Sequence, residues 1–364
     1  MAAGDFVHLH LHTTYSLLDG QCQLTPLVKK ARALGMKALA VTDHGNLFAL
    51  KAFYDECRSK KEKTYGELAS VRVKPILGCE VYVTNGDYRE RDKNEVRSHL
   101  CLHAMNLAGY HNLVRLVSEA HINGFYHKPR IDRALLAKYH EGLHCSSACL
   151  AGEIARAIVA GRMDEAEATA KWYKDLFGGA YSLEVMLHKS RVHPEMNTEP
   201  YGVWWRQLQV VKGVFRIAEK LGIRTIATND VHFLEADDND SHDVLLALAT
   251  GKRMSDPPRI DDDDTSSKAG RLVYTGEEWF KTRDDMAALF KERPDVLDNA
   301  LAVADMIEEY ELDSKPIMPK FEIPASFGSE NDAKYISVAD PTRRRIEFEA
   351  DYLAKLAYEG AYRR

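Results

Sequence analysis

No stretch of this sequence approaches the roughly 18 uninterrupted apolar residues that a membrane-spanning helix needs, so no such helix is expected. Met1 to Gly4 lacks the basic-then-apolar pattern of a secretion signal, and a cytoplasmic protein is the expectation. Cysteine is sparse and its spacing is uninformative: Cys22, Cys57, Cys79, Cys101, Cys145 and Cys149 include no Cys-x-x-Cys pair. Reduced thiols are therefore expected rather than a disulfide framework, with one of them available to a metal. An excess of positive charge is also missing. The formal charge of −6 excludes a protein that coats itself in nucleic acid, because phosphate binding is driven by clustered Lys and Arg that release counterions. Acidic groups have another use, which is to collect metal ions. No internal repeat is present.

What is there is a core-building chain. At 364 residues it is long enough for one large domain and a smaller appendage, and 45% hydrophobic with 29% charged residues is ordinary for a globular protein. Short apolar runs at 6–12, 38–44, 74–83, 99–106, 143–149, 181–187 and 224–233 read as strands. Amphipathic stretches lie between them, among them 25–34, where Thr25-Pro26 predicts a capped start, and a long one at 199–221. Seven strand-helix alternations predict a parallel sheet closed into a barrel, or else an open doubly wound sheet. Between Asp256 and Val273 the composition shifts to Pro-Pro, Asp261 to Asp264 and Ser-Ser, which predicts a loop with a solvated acidic run outside any site. The expected domains are 1–272 and a mostly helical extension, 273–364. Its last helix, 342–359, would be capped by Gly360, and the chain is expected to continue in a longer protein beyond Arg364.

The histidines carry the chemistry. His8, His10 and His12 alternate along one strand and so share a face. A single buried histidine is more often a hydrogen-bonded core residue, but three uncompensated imidazoles on one face would be costly, and as a group they point to metal. Asp19 follows in the next loop, His44 closes the second strand in Thr-Asp-His-Gly, Glu80 lies on the third, and Asp230 and His232 end the last. Several strand ends therefore converge on one mouth, where such folds assemble their sites. Imidazoles suit zinc, manganese and iron, carboxylates bridge ions, and a thiolate favours zinc. Ions about 4 Å apart suit phosphoester hydrolysis.

His8-Leu-His-Leu-His12-Thr, Thr42-Asp-His-Gly45, Gly78-Cys-Glu80 and Thr228-Asn-Asp-Val-His232 resemble the motifs of the PHP superfamily. The resemblance runs along essentially the whole chain. Phe6 to Gly20, Gly109-Tyr-His-Asn-Leu113, Gly124-Phe-Tyr-His-Lys-Pro-Arg-Ile-Asp132 and Tyr352 to Gly360 are most similar to the amino-terminal part of bacterial DNA polymerase III alpha subunits. The resemblance implies a distorted seven-stranded β/α barrel with metal ligands at His10, His12, Asp19, His44, Glu80, His99, Cys149, Asp230 and His232. It also implies up to three divalent metals, Zn and/or Mn, with Fe or Mg as further candidates. Asp19, His44 and Asp230 are the implied catalytic residues.

The implied activity is a 3′–5′ exonuclease that proofreads the 3′ end of a DNA primer. Its partners would be DNA and, through a DNA-directed DNA polymerase parent, a separate proofreading subunit and the sliding clamp. The alternatives are a histidinol-phosphatase-like phosphomonoesterase and a non-catalytic scaffold for the proofreading subunit. The polymerase reaction itself is not expected of this chain, because no paired aspartates stand in a strand context. His8 replaces the Asp of many relatives and is expected to flank the site. The family pattern favours His99 over His103, although His99 starts its strand, and Cys149 over Cys145. His188 stands as either a phosphate contact or a strand-capping histidine. Lys128 and Arg130 could steer a phosphate backbone or simply be solvated, and Arg343 to Arg345 could give a weak, salt-sensitive attraction to DNA.

Overall fold

The computed structural model describes residues 6–259, 270–316 and 321–364. The acidic run Asp261 to Asp264 lies outside the described residues. Strands β1 (Ala38–Val41), β2 (Lys74–Thr84), β3 (Arg97–Ala104), β4 (Phe125–Tyr126), β5 (Lys128–Ile131), β6 (Leu143–Ser146), β7 (Tyr181–Val185) and β8 (Arg224–Ala227) form one sheet, and β9 (Pro258–Arg259) pairs with β10 (Arg271–Leu272). The helices are α1 (Leu24–Ala33), α2 (Leu50–Arg58), α3 (Glu62–Tyr65), α4 (Leu107–Ile122), α5 (Arg133–Lys138), α6 (Glu153–Val159), α7 (Met163–Phe177), α8 (Val203–Leu221), α9 (Asn239–Ala249), α10 (Arg283–Leu289), α11 (Asp295–Met306), α12 (Ala333–Ile336) and α13 (Pro341–Tyr362).

Neighbours in the sheet run β1-β2-β3-β6-β7-β8. Its two ends are joined by the extended segment 6–13. On one side Ala40 N donates to His8 O and Thr42 N to Leu11 O; on the other His12 N donates to Val231 O and Val231 N to His10 O. That segment is the seventh stave of a closed, distorted barrel. The distortion is specific: β3 is antiparallel to both β2 and β6, whereas β1, β2, β6, β7 and β8 pair in parallel wherever they meet. The all-parallel expectation is corrected at this stave. The sequence reading also missed the β4–β5 hairpin, which continues the β1 edge of β2 through Tyr82 and Val83.

The outer faces of the staves pack against helices. One apolar cluster joins Leu39, Val41 and Leu77 to Leu27 and Val28 of α1 and Phe53 of α2; a larger one joins β2, β3, β6 and β7 to α4, α6, α7, α8 and α11. Helix α1 starts at Leu24 after Gln23, one residue before the expected cap Thr25, whose hydroxyl bonds Glu56 instead. The lumen is polar. Segment 6–13 and β3 are not sheet neighbours, so the 2.7 Å bond from His103 Nε2 to Leu9 O crosses the barrel. His144 Nδ1 lies 3.3 Å from His103 Nδ1, and its Nε2 lies 3.0 Å from Ser182 Oγ.

The chain divides after Leu312 into two compact units. Residues 273–312, which the sequence reading placed with the extension, pack with the barrel: Phe280, Met286, Val296 and Val303 are buried in its core clusters. In the second unit Asp340 caps α13 by accepting from Thr342 N, and Phe327, Tyr335 and Phe348 pack together. Helix α13 continues through Gly360, which is not its cap. Arg343 and Arg345 pair with Glu347 and Glu349 on the same helix, and Arg344 bonds Val338 O.

Gly109 in the first turn of α4 faces Gly142, and a Cβ there would stand 1.8 Å from the Gly142 carbonyl oxygen. Gly109→Ala should therefore lower stability by about 1–3 kcal/mol or more in urea unfolding; an unchanged midpoint would show that α4 slides freely. Burial holds both His103 and His144 below the ordinary histidine pKa. The unfolded chain then binds protons that the fold refuses, so stability is full above about pH 6.5 and declines as pH falls below it. The decline between pH 7 and 5 should be smaller in His144→Gln than in the parent, and equal slopes would contradict this account.

Candidate metal centre

Glu80, on β2 and 1% exposed, is the hub. Its Oε1 lies 2.9 Å from His99 Nδ1, 3.1 Å from His10 Nε2 and 4.0 Å from Cys149 Sγ. Its Oε2 lies 2.5 Å from His44 Nδ1 and 3.9 Å from His12 Nε2. Asp230 Oδ1 stands 3.2 Å from both His10 Nε2 and His12 Nε2, and 3.6 Å from His232 Nδ1. Asp19 Oδ2 is 3.1 Å from His44 Nε2 and accepts from the Tyr274 hydroxyl. All nine residues expected from the sequence thus come together.

Each is placed by local structure. His99 begins β3, and because β3 runs opposite to its neighbours, its first residues lie at the same rim as the last residues of β2; Tyr82 pairs with His99. Asp230 has a φ of 46°, the left-handed region, which costs a non-glycine residue free energy. It is held there from both sides: Asn229 Nδ2 donates to Glu277 O and Trp279 O, and Val231 is bonded into the seventh stave. Behind His12 and His44 stands Asp43, which accepts from Thr13 N, Thr13 Oγ1 and Ser16 Oγ. Ser16 Oγ is 2.9 Å from His12 Nδ1 and accepts from His44 N. His242 Nε2 donates to the Asp19 carbonyl.

The charges are strongly coupled. Burial opposes ionisation of Glu80, yet His99 and His44 outweigh it and hold the carboxyl well below its usual range. Burial is outweighed in the same way at Asp230 by His10 and His232, and at Asp19 by His44 and His232. It is also outweighed at His10 by Asp230 and at His44 by Asp19 and Glu80, so both rings are raised well above the ordinary value. Burial and the neighbouring rings of His44 and His232 push His12 down to about 3. Burial, with Asp230 and Glu80 nearby, pushes the Cys149 thiol well up, so a thiolate there needs a cation beside it.

The donor set fits divalent cations. Buried and without a hydrogen-bond partner are His10 Nε2, His12 Nε2, His232 Nε2, Asp19 Oδ1 and Asp230 Oδ1. Lone pairs turned on one another at such distances repel unless a proton or a metal ion lies among them. Ligand atoms of His12, His44 and His232, of His10, His12 and Asp230, and of His44, Glu80 and His99 fall within 4.8 Å of one another in each group. These overlapping groups share residues, as a centre for several ions requires.

Other placements sharpen the sequence reading. His8 does not join the cluster: its Nε2 donates to Lys281 O, its ring packs on Phe280, and burial lowers its pKa to about 4. His103 stays in the lumen and Cys145 in the core. His188 is buried between Asn229 and Glu278. Arg130 is buried, bonds the Gly124 and Tyr88 carbonyls and pairs with Glu95, so it fastens the hairpin instead of meeting solvent. Lys128 stands over the Tyr82 ring. Sequence reasoning missed Cys101, opposite Glu80 and grouped with it and His10, for which no spacing signal exists. It also missed Glu184, whose Oε2 lies 2.9 Å from His10 Nδ1. A lone acidic residue in the apolar strand Tyr181–Val185 was the available sign.

Residues 8–188 match the PHP domain family. This chain belongs to the PHP domain family. A DNA polymerase III subunit alpha from Treponema pallidum is 34% identical over 377 residues, which cover 100% of this chain and 29% of that protein. The Chlamydia muridarum protein of the same description is 38% identical over 82% of this chain and 24% of the relative, and that of Helicobacter pylori 34% over 91% and 26%. The PHP chain thus corresponds to the amino-terminal part of these relatives and spans less than a third of their length. Among its described residues no helix is long and apolar enough to cross a membrane.

Chelation should destabilise the PHP barrel. A cation that binds only the fold adds about 2.7 kcal/mol at a hundred times its Kd, so dialysis against EDTA should lower the thermal midpoint by several degrees and Mn or Zn should restore it. An unmoved midpoint, with no metal found by elemental analysis, would count against the centre.

Proposed function

We propose that this PHP domain belongs to a bacterial DNA polymerase III alpha subunit and is a metal-dependent 3′–5′ exonuclease. The observation that carries the proposal is the convergence of His10, His12, Asp19, His44, Glu80, His99, Cys149, Asp230 and His232, with five of their buried polar atoms unpartnered and turned inward. Up to three divalent metals, Zn and/or Mn with Fe or Mg as further candidates, would there neutralise a phosphodiester and acidify water near neutral pH. Glu80 and Asp230, each in reach of several imidazoles, would be the carboxylates that help hold these ions.

Asp19 and His44 are the proton-handling pair. Tyr274 and His44 hold Asp19 Oδ2 by donating to it, which leaves Oδ1 to orient the attacking water and take up its proton. Asp230, in its strained backbone, would help hold the cations that neutralise the terminal phosphate. The P–O3′ bond to the penultimate sugar breaks, a nucleoside 5′-monophosphate leaves, and the shortened strand keeps a 3′-hydroxyl.

A nucleic-acid end suits the surroundings better than a small phosphomonoester. Leu17, Leu18 and Phe48, all more than half exposed, lie on the loops that carry Asp19 and His44. Asn46 Nδ2 ties these loops by donating to Tyr15 O. An exposed aromatic ring such as that of Phe48 beside a phosphate site is what base stacking uses. The DNA, proofreading-subunit and clamp contacts of the longer polymerase follow from the same assignment.

A primer with a mismatched 3′ end, incubated with the chain and Mn or Zn, should shorten one nucleotide at a time. Asp19→Asn should slow this by about 10²–10⁴-fold in protein whose circular dichroism shows it to be folded. Hydrolysis of a phosphomonoester with no action on DNA would move the assignment to the phosphatase alternative. Bound metal with neither activity would leave a scaffold for a separate proofreading subunit.

A further inference from the structure

Glu184 lies in the middle of β7, 2% exposed, and its carboxylate is saturated with donors. Oε1 accepts from Ser146 Oγ at 2.6 Å and from the backbone Ala148 N at 3.0 Å; Oε2 accepts from Thr228 Oγ1 at 2.7 Å and meets His10 Nδ1 at 2.9 Å. A buried carboxylate is tolerated only when its oxygens are bonded in this way. With the oxygens accepting throughout, the proton of the His10 contact sits on Nδ1. The lone pair of a neutral His10 is then on Nε2, the atom that faces Glu80 Oε1 and Asp230 Oδ1 and has no hydrogen-bond partner.

The other contacts lead to the same place. Ala148, whose φ of 57° is in the left-handed region, turns its N–H onto Glu184 and is followed directly by Cys149. Thr228 stands two residues before Asp230. One carboxylate therefore fixes the ring of His10 and anchors the backbone before Cys149 and Asp230. On the opposite side Asp43, through Ser16, has the corresponding place behind His12 and His44.

We infer that Glu184 is a positioning residue of the metal centre: it sets the Nδ1–H tautomer of His10 and thereby turns Nε2 onto the cation position it shares with His12 and Asp230, while Asp43 supports His12 and His44 from the opposite side. The inference rests on the proposed metal-dependent reading but not on its activity.

The test titrates the full chain, stripped with EDTA, with Co²⁺ against a chromophoric chelator. Glu184→Gln should weaken one equivalent by about 10–100-fold, change the cobalt d–d spectrum, and leave the remaining equivalents as in the parent. Asp43→Asn, behind His12 and His44, should leave the His10 tautomer as in the parent. In the parent loaded with Zn²⁺, ¹⁵N NMR should show His10 protonated at Nδ1 and bound through Nε2, a measurement that holds whether or not Glu184→Gln folds. Parental binding of every equivalent by Glu184→Gln, or His10 bound through Nδ1, overturns the inference. A parent that takes up no cation overturns it together with the reading beneath it. Cobalt binding that depends on Glu184 in a chain silent on DNA overturns only the nuclease.

Discussion

Everything in this barrel answers to one electrostatic constraint: Glu80 is a buried carboxylate within 4.0 Å of His10, His12, His44, His99 and Cys149. A charge taken from water costs several kcal/mol unless it is compensated on all sides, and imidazoles compensate only when a proton or a metal ion lies between them and the oxygen. The compensation is drawn from four separate places in the chain. The fold must therefore hold them in register to within ångströms, and for three of them it does so with a buried group behind the ring: Glu184 behind His10, and Asp43 acting through Ser16 behind His12 and His44. Backbone strain at Asp230 and Ala148 has the same origin, since both are bent into unfavourable conformations to aim a ligand or its neighbour.

The sequence made the staves and the clustered side chains legible because both leave local signals. Apolar runs marked the seven staves, and the ligands sat in short motifs that resembled those of a family. Strand direction left no such signal. His99 looked misplaced at the start of its strand only while every strand was taken as parallel; with β3 reversed, the start of one strand and the end of the next are the same rim. Glu184 and the His103–His144 pair were illegible for a different reason. Their meaning lies in contacts across the lumen between staves that are not sheet neighbours, and periodicity along one strand carries no information about what stands opposite.

The two glycine-led stretches that most resembled the polymerase branch do not supply the clustered ligands. Gly109 lets α4 press against the Gly142 carbonyl, and Gly124 lies against the Arg130 backbone at the foot of the hairpin, where a side chain would collide. Arg130 then closes that hairpin onto Tyr88 and Glu95, and its charge is spent internally. What the hairpin presents instead is Lys128 over Tyr82, whose ring meets His99 edge-on. Residues that identify a lineage are here residues of close packing, and they reach the metal centre by positioning its wall.

His8 shows where alternation along a strand stops being informative. Period two fixes the face a side chain takes, not the depth at which it ends, and four residues of extended chain span roughly 13 Å. The clustered ligand atoms lie within 4.8 Å of one another in each group. A straight stave can therefore give two successive alternate residues to one cluster but not three. His10 and His12 meet at Asp230, and His8, a full step deeper, is left to the Lys281 carbonyl and the Phe280 ring. The same limit explains why the remaining ligands come from other staves and loops: only a closed barrel brings enough of them to one depth.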